Sequence, residues 1–126
     1  TLNRLFDRYQ FRSVLNCAGN RALRACEVDT RLAWRTNVEG LLNILSIIAD
    51  RDVWLVHISI DLVFAERQEG GYSETDPTDP VAVYGKTMVA AEQLLVDRLS
   101  KAGFNTSWPC LIRYDALTSP GVEPVP

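Results

Sequence analysis

The feature that most constrains the fold is the nearly continuous apolar run VWLVHISI at residues 53–60. Most of its side chains are β-branched or aromatic, and only His57 and Ser59 in it are polar. Such a run is typical of a parallel strand covered on both faces, whereas a strand with one solvated face alternates. A second short run, SVLNCAG at residues 13–19, ends at a turn of small residues and predicts another buried strand.

A long helix is predicted between these two strands, over about residues 29–49. Asp29 or Thr30 can act as its N-cap, and apolar residues recur at intervals of three and four along it. A third strand is predicted within residues 106–113. Pro109 weakens that prediction, because proline removes a donor from the hydrogen-bond ladder.

A second long helix is predicted after the polar loop at residues 65–80. Asp79 is placed to act as N-cap, Pro80 occupies the first helical position, and Gly103 lies beyond the end. Strand, helix, strand, helix and strand in this order predict an α/β fold with a parallel sheet and right-handed crossovers.

Length and composition favour one small globular domain. Residues 114–126 include three prolines and a glycine and are predicted to form an irregular tail, which leaves residues 1–113 as the domain. The net charge of -3 provides no basic surface for nucleic acid or an anionic membrane, and no apolar run approaches the ~18 residues of a membrane span. Three cysteines, one histidine and no Cys-x-x-Cys pair predict neither a disulfide framework nor a metal site, and favour the cytoplasm.

Several polar residues follow the predicted strands, at the edge where doubly wound folds bind ligands. Ser59 and Asp61 are two of them, although Asp61 could simply cap the next turn while Ser59 fills a small core position. His57 is more simply explained as a core histidine than as a base. The turn LNCAG at residues 15–19 suits close approach of a ligand to the backbone, and a plain tight turn explains it equally well.

One face of the second helix carries a tyrosine together with apolar residues. At helical spacing this face is formed by five residues: Tyr84, Thr87, Met88, Ala91 and Leu95. Lys86 lies about 200° around the helix from Tyr84, so it is predicted to point elsewhere. The face is either ordinary core with the tyrosine at its polar rim or one wall of an active site.

Taken in order, three segments resemble the extended short-chain dehydrogenase/reductases, and most closely their RmlD-like, dTDP-4-dehydrorhamnose reductase branch. They are VLNCAGNRALRACEVDTRLAWRTNVEGLLNIL, LVHISIDLVF and GGYSETDPTDPVAVYGKTMVAAEQLL, and the resemblance covers about residues 13–113. It implies a Rossmann-like, doubly wound parallel sheet with flanking helices. It also implies reduction of a 4-keto sugar nucleotide by hydride from NADP(H) or NAD(H), and possible assembly into a homo-oligomer.

The resemblance assigns roles to the first strand and helix. The end of the family's corresponding strand passes close to the cofactor, which implies cofactor contacts at Cys17, Ala18 and Gly19. The family's helix carries an asparagine before a glycine, and Asn37 and Gly40 match these two positions.

The family's Ser-Thr-Asp-Tyr-Val-Phe segment is matched by residues 59–64. The resemblance implies that Ser59 contacts the cofactor, while the position of the catalytic threonine holds Ile60. On a strand, Ser59 points to the opposite face from Ile60, so its hydroxyl is not expected to replace that of the threonine. The resemblance also implies substrate contacts from three residues of the segment: Asp61, Val63 and Phe64.

The family's Tyr-x-x-x-Lys pair is matched by Tyr84 and Met88. The resemblance makes Tyr84 the proton donor and a cofactor contact, and it gives the lysine the tasks of holding the nicotinamide ribose and favouring tyrosinate. With Met88 and Ile60 in place of lysine and threonine, we expect weak or absent reductase activity. The alternative is a non-catalytic binding or regulatory module for a nucleotide sugar or a cofactor.

No G-x-x-G-x-x-G turn, the family's cradle for the cofactor pyrophosphate, occurs in the sequence. The resemblance places the first residues near the helix that precedes the family's fourth strand, and it ends after residue 113. We therefore expect an internal fragment of such a reductase, or a decayed gene product, without the N-terminal βαβ unit.

Overall fold

The computed structural model describes residues 1–65, 71–73, 75–101 and 110–114. The elements are, in chain order, α1 (Leu2–Arg8), β1 (Ser13–Asn16), α2 (Leu23–Val28), α3 (Thr30–Trp34), a π-helical segment (Arg35–Glu39), α4 (Gly40–Ile48), β2 (Trp54–Ile60), a 3-10 turn (Asp61–Val63), α5 (Val83–Lys101) and β3 (Cys110–Tyr114).

The three strands form one parallel sheet in the order β1, β2, β3. Asn16 at the end of β1 pairs in register with His57 of β2. The predicted parallel α/β sheet is thus confirmed. β3 begins directly after Pro109 and continues through Tyr114, one residue past the predicted domain end. The predicted tail beyond it lies outside the described residues.

The main hydrophobic core lies between the sheet and the long helices. Leu55 of β2 packs there with buried residues from α1, α4 and α5: Phe6, Leu41, Leu45, Ile48, Ala91 and Leu95. On the other face of the sheet, Leu15 and Trp54 are more than half exposed. The described helices therefore cover one face of the sheet far more completely than the other, and the prediction of a strand covered on both faces is wrong for the described residues.

The first long helix begins where the sequence predicts, and it contains one wide turn. Asp29 is its N-cap, because the side chain accepts a hydrogen bond from the Leu32 N–H at 2.9 Å. Buried residues then recur every fourth position, at Ala33, Asn37, Leu41 and Leu45. In a regular α-helix twelve residues of such spacing would drift by about 120° around the axis. The π-helical segment has more residues per turn, so it offsets this drift and keeps the four on one face.

The predicted start of the second long helix is wrong by three residues. α5 begins at Val83 rather than Pro80. The Val83 N–H donates to the carboxylate of Glu27 on α2 at 2.7 Å, so a distant side chain satisfies the helix N-terminus. The Asp79 N–H instead donates to the Val63 carbonyl at 3.1 Å, which keeps Asp79 in the preceding loop. The predicted C-cap, Gly103, lies outside the described residues.

α1 is held against the end of α4 by Arg51. Its guanidinium donates to the Phe6 carbonyl at 3.1 Å, to Asp7 at 2.6 Å and to the Ile47 carbonyl at 3.0 Å. α1 precedes β1, where the resemblance implies a helix. The short α2 has no counterpart among the helices predicted from the sequence pattern.

Candidate active site

The end of β1 is fixed by one buried amide. The Asn16 Oδ1 accepts the Ala18 N–H at 3.1 Å, which orients the amide and leaves its Nδ2 to donate to the His57 Nδ1 at 3.0 Å. His57 therefore carries its proton on Nε2 and is neutral. Burial lowers the pKa of His57, and the charge of Glu92 opposes this shift. His57 is a core histidine, as the simpler interpretation of the sequence expects.

The turn after β1 presents the predicted cofactor contacts to solvent. Cys17, Ala18 and Gly19 are all exposed. A Cβ at Gly19 would lie 3.1 Å from the Asn37 Oδ1, so the backbone approaches the helix closely at this point. Close packing of the turn against the helix is one reason for a glycine here. A cofactor contact at these three residues remains a prediction.

Asn37 connects this turn to the helix that carries Tyr84. Its Oδ1 accepts the Asn20 N–H at 2.6 Å, and its Nδ2 donates to the Asn20 carbonyl at 3.1 Å and to the Thr87 Oγ1 at 2.9 Å. Thr87 in turn donates to the Tyr84 carbonyl at 2.7 Å. The asparagine matched to the family is thus a buried link between the β1 turn and α5.

Tyr84 lies in the first turn of α5 within a second hydrophobic cluster. Its buried members are Cys26, Ala33, Val63, Phe64, Tyr84 and Met88. Ile60 packs against the same cluster, so the structure brings together the residues at all three positions matched to catalytic side chains. Lys86 is exposed, as predicted. This face of α5 is part of the core, and it also places Tyr84 beside the 3-10 turn that follows β2.

The surroundings of Tyr84 disfavour its ionisation. Burial raises the pKa of its phenol above the usual value; the Arg21 guanidinium opposes this, while Cys26 and Asp61 add to it. Met88 is only 6% exposed and supplies no charge. The phenol is therefore a weaker acid than an ordinary tyrosine.

Ser59 points away from the Tyr84 cluster, into the interface between β2 and α5. It is buried, and its hydroxyl donates to the Glu92 carboxylate at 2.5 Å. The expectation that Ser59 cannot replace the missing threonine hydroxyl agrees with this position. A cofactor contact by Ser59 would require a ligand to reach this buried interface, and it remains a prediction.

The three predicted substrate contacts occupy different environments. Asp61 begins the 3-10 turn and is half-buried, whereas Val63 and Phe64 are buried in the Tyr84 cluster. The ring of Phe64 stacks on Tyr72 with centroids 4.6 Å apart. In this arrangement the side chains of Val63 and Phe64 pack into the hydrophobic cluster and so hold the 3-10 turn in place. The substrate contacts of all three stay predictions.

Gly85 is a site residue with no role predicted from the sequence. A Cβ at this position would lie 2.2 Å from the Leu62 carbonyl oxygen and 2.9 Å from the Pro80 Cβ. Only glycine lets the first turn of α5 approach the 3-10 turn so closely. A glycine inside a helical pattern often has a packing reason, so its position directly after Tyr84 was the sequence signal for this close approach.

Two observations test whether these residues fit a nicotinamide cofactor. The turn after β1 is exposed at Cys17, Ala18 and Gly19, so a ligand can reach these three residues. The Met88 thioether, packed among apolar side chains, offers neither a charge nor an N–H to a ribose hydroxyl. The turn therefore fits such a cofactor, and the helical position one turn from Tyr84 does not.

Within the described part of the chain, no group of three or more histidine, cysteine, aspartate or glutamate residues could hold a metal ion. Cys17 and Cys26 have free thiols. None of the helices in these same ranges is both long enough and apolar enough to cross a bilayer.

The family model described as "RmlD substrate binding domain" matches residues 1–108. The chain belongs to the RmlD family. The dTDP-4-dehydrorhamnose reductase of Salmonella typhimurium is 35% identical over 96 residues, which are 75% of this chain and 32% of that protein. The chain spans about a third of the length of the curated relatives it matches.

Solved structures of RmlD-type proteins have the same fold. A dTDP-4-dehydrorhamnose reductase from Clostridium acetobutylicum superposes with a TM-score of 0.74 at 28% identity, covering 89% of this chain and 38% of that one. The Bacillus anthracis dTDP-4-dehydrorhamnose reductase, solved in complex with NADP, superposes with a TM-score of 0.73 at 24% identity, over 90% of this chain and 38% of that one. The Rossmann-like fold of the RmlD family is therefore established for the described residues.

Proposed function

We propose that this chain forms the central part of an NAD(P)-dependent sugar-nucleotide reductase that acts on a dTDP-4-keto sugar. The observation that carries the proposal is the cluster that brings Tyr84, Met88 and Ile60 together after β2. A bound NADP(H) or NAD(H) would supply the hydride. Tyr84 would donate the proton to the sugar oxygen, and the Asn37 link would hold its helix against the β1 turn.

The residues beside Tyr84 make this a slow enzyme. A protonated amine about 4 Å from a phenolate is worth on the order of 4 kcal/mol at an effective dielectric of ~20. Met88 supplies none of this stabilisation, and Ile60 offers no hydroxyl to the substrate. Proton donation therefore depends on a tyrosine whose pKa is raised by burial.

The same two side chains favour a second candidate, a binding module that has lost turnover. An apolar residue at each of two catalytic positions leaves the surrounding surface able to bind a ligand. Such a module would bind the nucleotide sugar or the cofactor without oxidising or reducing it. Cytoplasmic localisation and a homo-oligomeric state also remain proposals.

A hybrid enzyme tests both candidates. The 96-residue aligned segment of the Salmonella typhimurium relative is replaced by the matching segment of this chain, and unfolding curves establish that the hybrid folds. NADPH oxidation with a dTDP-4-keto sugar is then compared for the parent, the hybrid and the hybrid with Tyr84→Phe. Slow turnover that Tyr84→Phe abolishes supports the reductase. Binding of NADPH or the sugar nucleotide without turnover supports the module, and a folded hybrid that binds neither refutes both.

A further inference from the structure

The Asn16 side-chain amide lies between two hydrogen-bonding groups, and only one of its two orientations satisfies both. Its Oδ1 accepts the Ala18 N–H at 3.1 Å, and its Nδ2 donates to the His57 Nδ1 at 3.0 Å. If the amide were turned over, its NH2 group would face the Ala18 N–H, and two donors cannot bond to each other. The orientation that binds the turn after β1 therefore needs an acceptor at His57.

His57 supplies that acceptor only as a neutral imidazole. Its Nδ1 accepts from Asn16 through a free lone pair, whereas an imidazolium donates from both nitrogens. The ring is held in place, because it is 2% exposed and Asn16 pairs with it in register across the sheet. Its Nε2 has no hydrogen-bond partner among the described residues. The bond to Asn16 is therefore the contact that a second proton on the ring would disturb.

Protonation of His57 would leave the Asn16 amide two responses. In one, the amide turns over, so that Oδ1 accepts from the imidazolium and the NH2 group faces the Ala18 N–H. In the other, the amide keeps its orientation, and repulsion between two donors pushes the side chain away. In both, the Ala18 N–H loses the acceptor that now holds the turn.

The other charges near His57 lie on neighbouring elements. Glu92 of α5 is buried on the same side of β2, where it accepts the Ser59 hydroxyl. Burial lowers the pKa of His57, and the Glu92 charge opposes that shift. Neither β1 nor α4 contains a titratable residue, and Arg113 of β3 pairs in register with Ser59. His57 is thus the titratable group that bonds directly to the Asn16 amide.

We propose that His57 is a positioning residue for the turn after β1: as a neutral imidazole it orients the Asn16 amide toward the Ala18 N–H, and when protonated it releases the turn. Cys17, Ala18 and Gly19 are thereby held near neutral pH and loosened in acid. This response belongs to the chain itself. Its effect on NAD(P)H binding rests on the proposed function, because the cofactor contacts at the turn are predictions.

Hydrogen exchange of the Ala18 amide, followed by NMR in the 126-residue chain, tests the link. Because the chain has a single histidine, its ring resonances report both the tautomer and the titration. His57→Gln keeps an acceptor for Asn16 and does not titrate. Asn16→Asp provides a carboxylate that accepts from the Ala18 N–H and from a His57 Nδ1–H together. The Leu55 amide of β2 is the internal control for global unfolding.

We expect the ring proton on Nε2 at about pH 7.5, one unit above the usual pKa of histidine. As the ring becomes protonated, the protection factor of the Ala18 amide should fall by about tenfold, the scale of one hydrogen bond, while Leu55 stays protected. In both variants the protection of Ala18 should not change with pH.

Three results would each overturn the proposal. They are a ring proton on Nδ1 near neutral pH, a protection of Ala18 that stays constant with pH in the unmodified chain, and a loss of protection that Leu55 shares. Glu92 is present in both variants, so its own titration would produce a pH dependence that persists in His57→Gln, which also contradicts the proposal. None of these measurements depends on turnover, so they hold whatever the hybrid enzyme does.

Discussion

Gly85→Ala tests the close approach that places Tyr84 beside the 3-10 turn. The added Cβ would lie 2.2 Å from the Leu62 oxygen, whereas a carbon and a carbonyl oxygen in contact are about 3.3 Å apart. The backbone would have to move by about 1 Å, because the obstructing atom is a carbonyl rather than a flexible side-chain end. Overpacking of this kind costs about 1–3 kcal/mol. The helical preference of alanine over glycine returns at most about 1 kcal/mol.

We therefore expect Gly85→Ala to lower the free energy of unfolding by about 2 kcal/mol, because a backbone carbonyl obstructs the Cβ and places the cost near 3 kcal/mol, of which helical preference returns about 1 kcal/mol. The melting temperature should fall by about 4 °C for each kcal/mol. Gly40→Ala is the matched control, since its Cβ would meet only the Arg35 carbonyl at 4.0 Å, an ordinary contact. That variant should be more stable by about 0.5–1 kcal/mol.

Urea unfolding followed by circular dichroism measures both changes. Opposite signs for the two glycines are the expected result. If Gly85→Ala is as stable as the unmodified chain, the close approach of α5 to the 3-10 turn is not required by the fold. The explanation given for a glycine after Tyr84 would then be wrong.

Four further predictions follow from the site and the core. In the hybrid enzyme, Met88→Lys with Ile60→Thr should raise kcat by about 10²-fold, the scale of general acid–base groups. A hybrid that retains Met88 and Ile60 and already turns over at the parent's rate would contradict this. Calorimetry of the 126-residue chain should show NADPH binding no tighter than about 1 mM, near -4 kcal/mol, because its sequence holds no glycine-rich phosphate cradle; micromolar binding would refute that reason. Folding keeps His57 neutral and lowers its pKa, while the unfolded chain takes up the proton below about pH 6.5, so stability should fall as the pH drops through 6.5. His57→Gln, which leaves no histidine, should remove that pH dependence between about pH 5 and 6.5 in urea unfolding. Arg51→Ala should lower the free energy of unfolding by about 1–2 kcal/mol, since it leaves a carbonyl of α1 without its donor; an unchanged urea midpoint would show that this bond is dispensable.

The sequence predicts the elements whose signals are local. The parallel strands β1 and β2 follow from continuous apolar runs, and Asp29 as N-cap follows from its position before an apolar helical pattern. The start of α5 could not be predicted in the same way. Asp79 has the local signature of a cap, but the acceptor used is Glu27, which lies 56 residues before Val83 in the chain.

In the candidate site too, local features could be predicted from the sequence and long-range contacts could not. The helical spacing of Tyr84 and Met88 predicts that they share a buried face, and the structure confirms it. The attachment of the turn after β1 to α5 depends on the Asn37 side chain, which bonds to Asn20 and Thr87, 17 and 50 residues away from it in the sequence. Contacts of that range are fixed by tertiary packing, and no local pattern encodes them.

The wide turn at Arg35–Glu39 makes chain length itself a determinant of the site. Deletion of one residue there would let the helix relax to regular α-helical geometry, in which eleven residues at 100° each end about 20° past three full turns. Ala33 and Leu45 would then stay on nearly the same face. The change would fall on the wide turn itself, where Asn37 binds Asn20 and Thr87. A deletion at Arg35–Glu39 should therefore spare the hydrophobic core and remove the contacts of Asn37, whereas an insertion in the regular part of the helix would rotate one half by about 100°. A relative with a shorter helix would need another donor to hold the turn after its first strand.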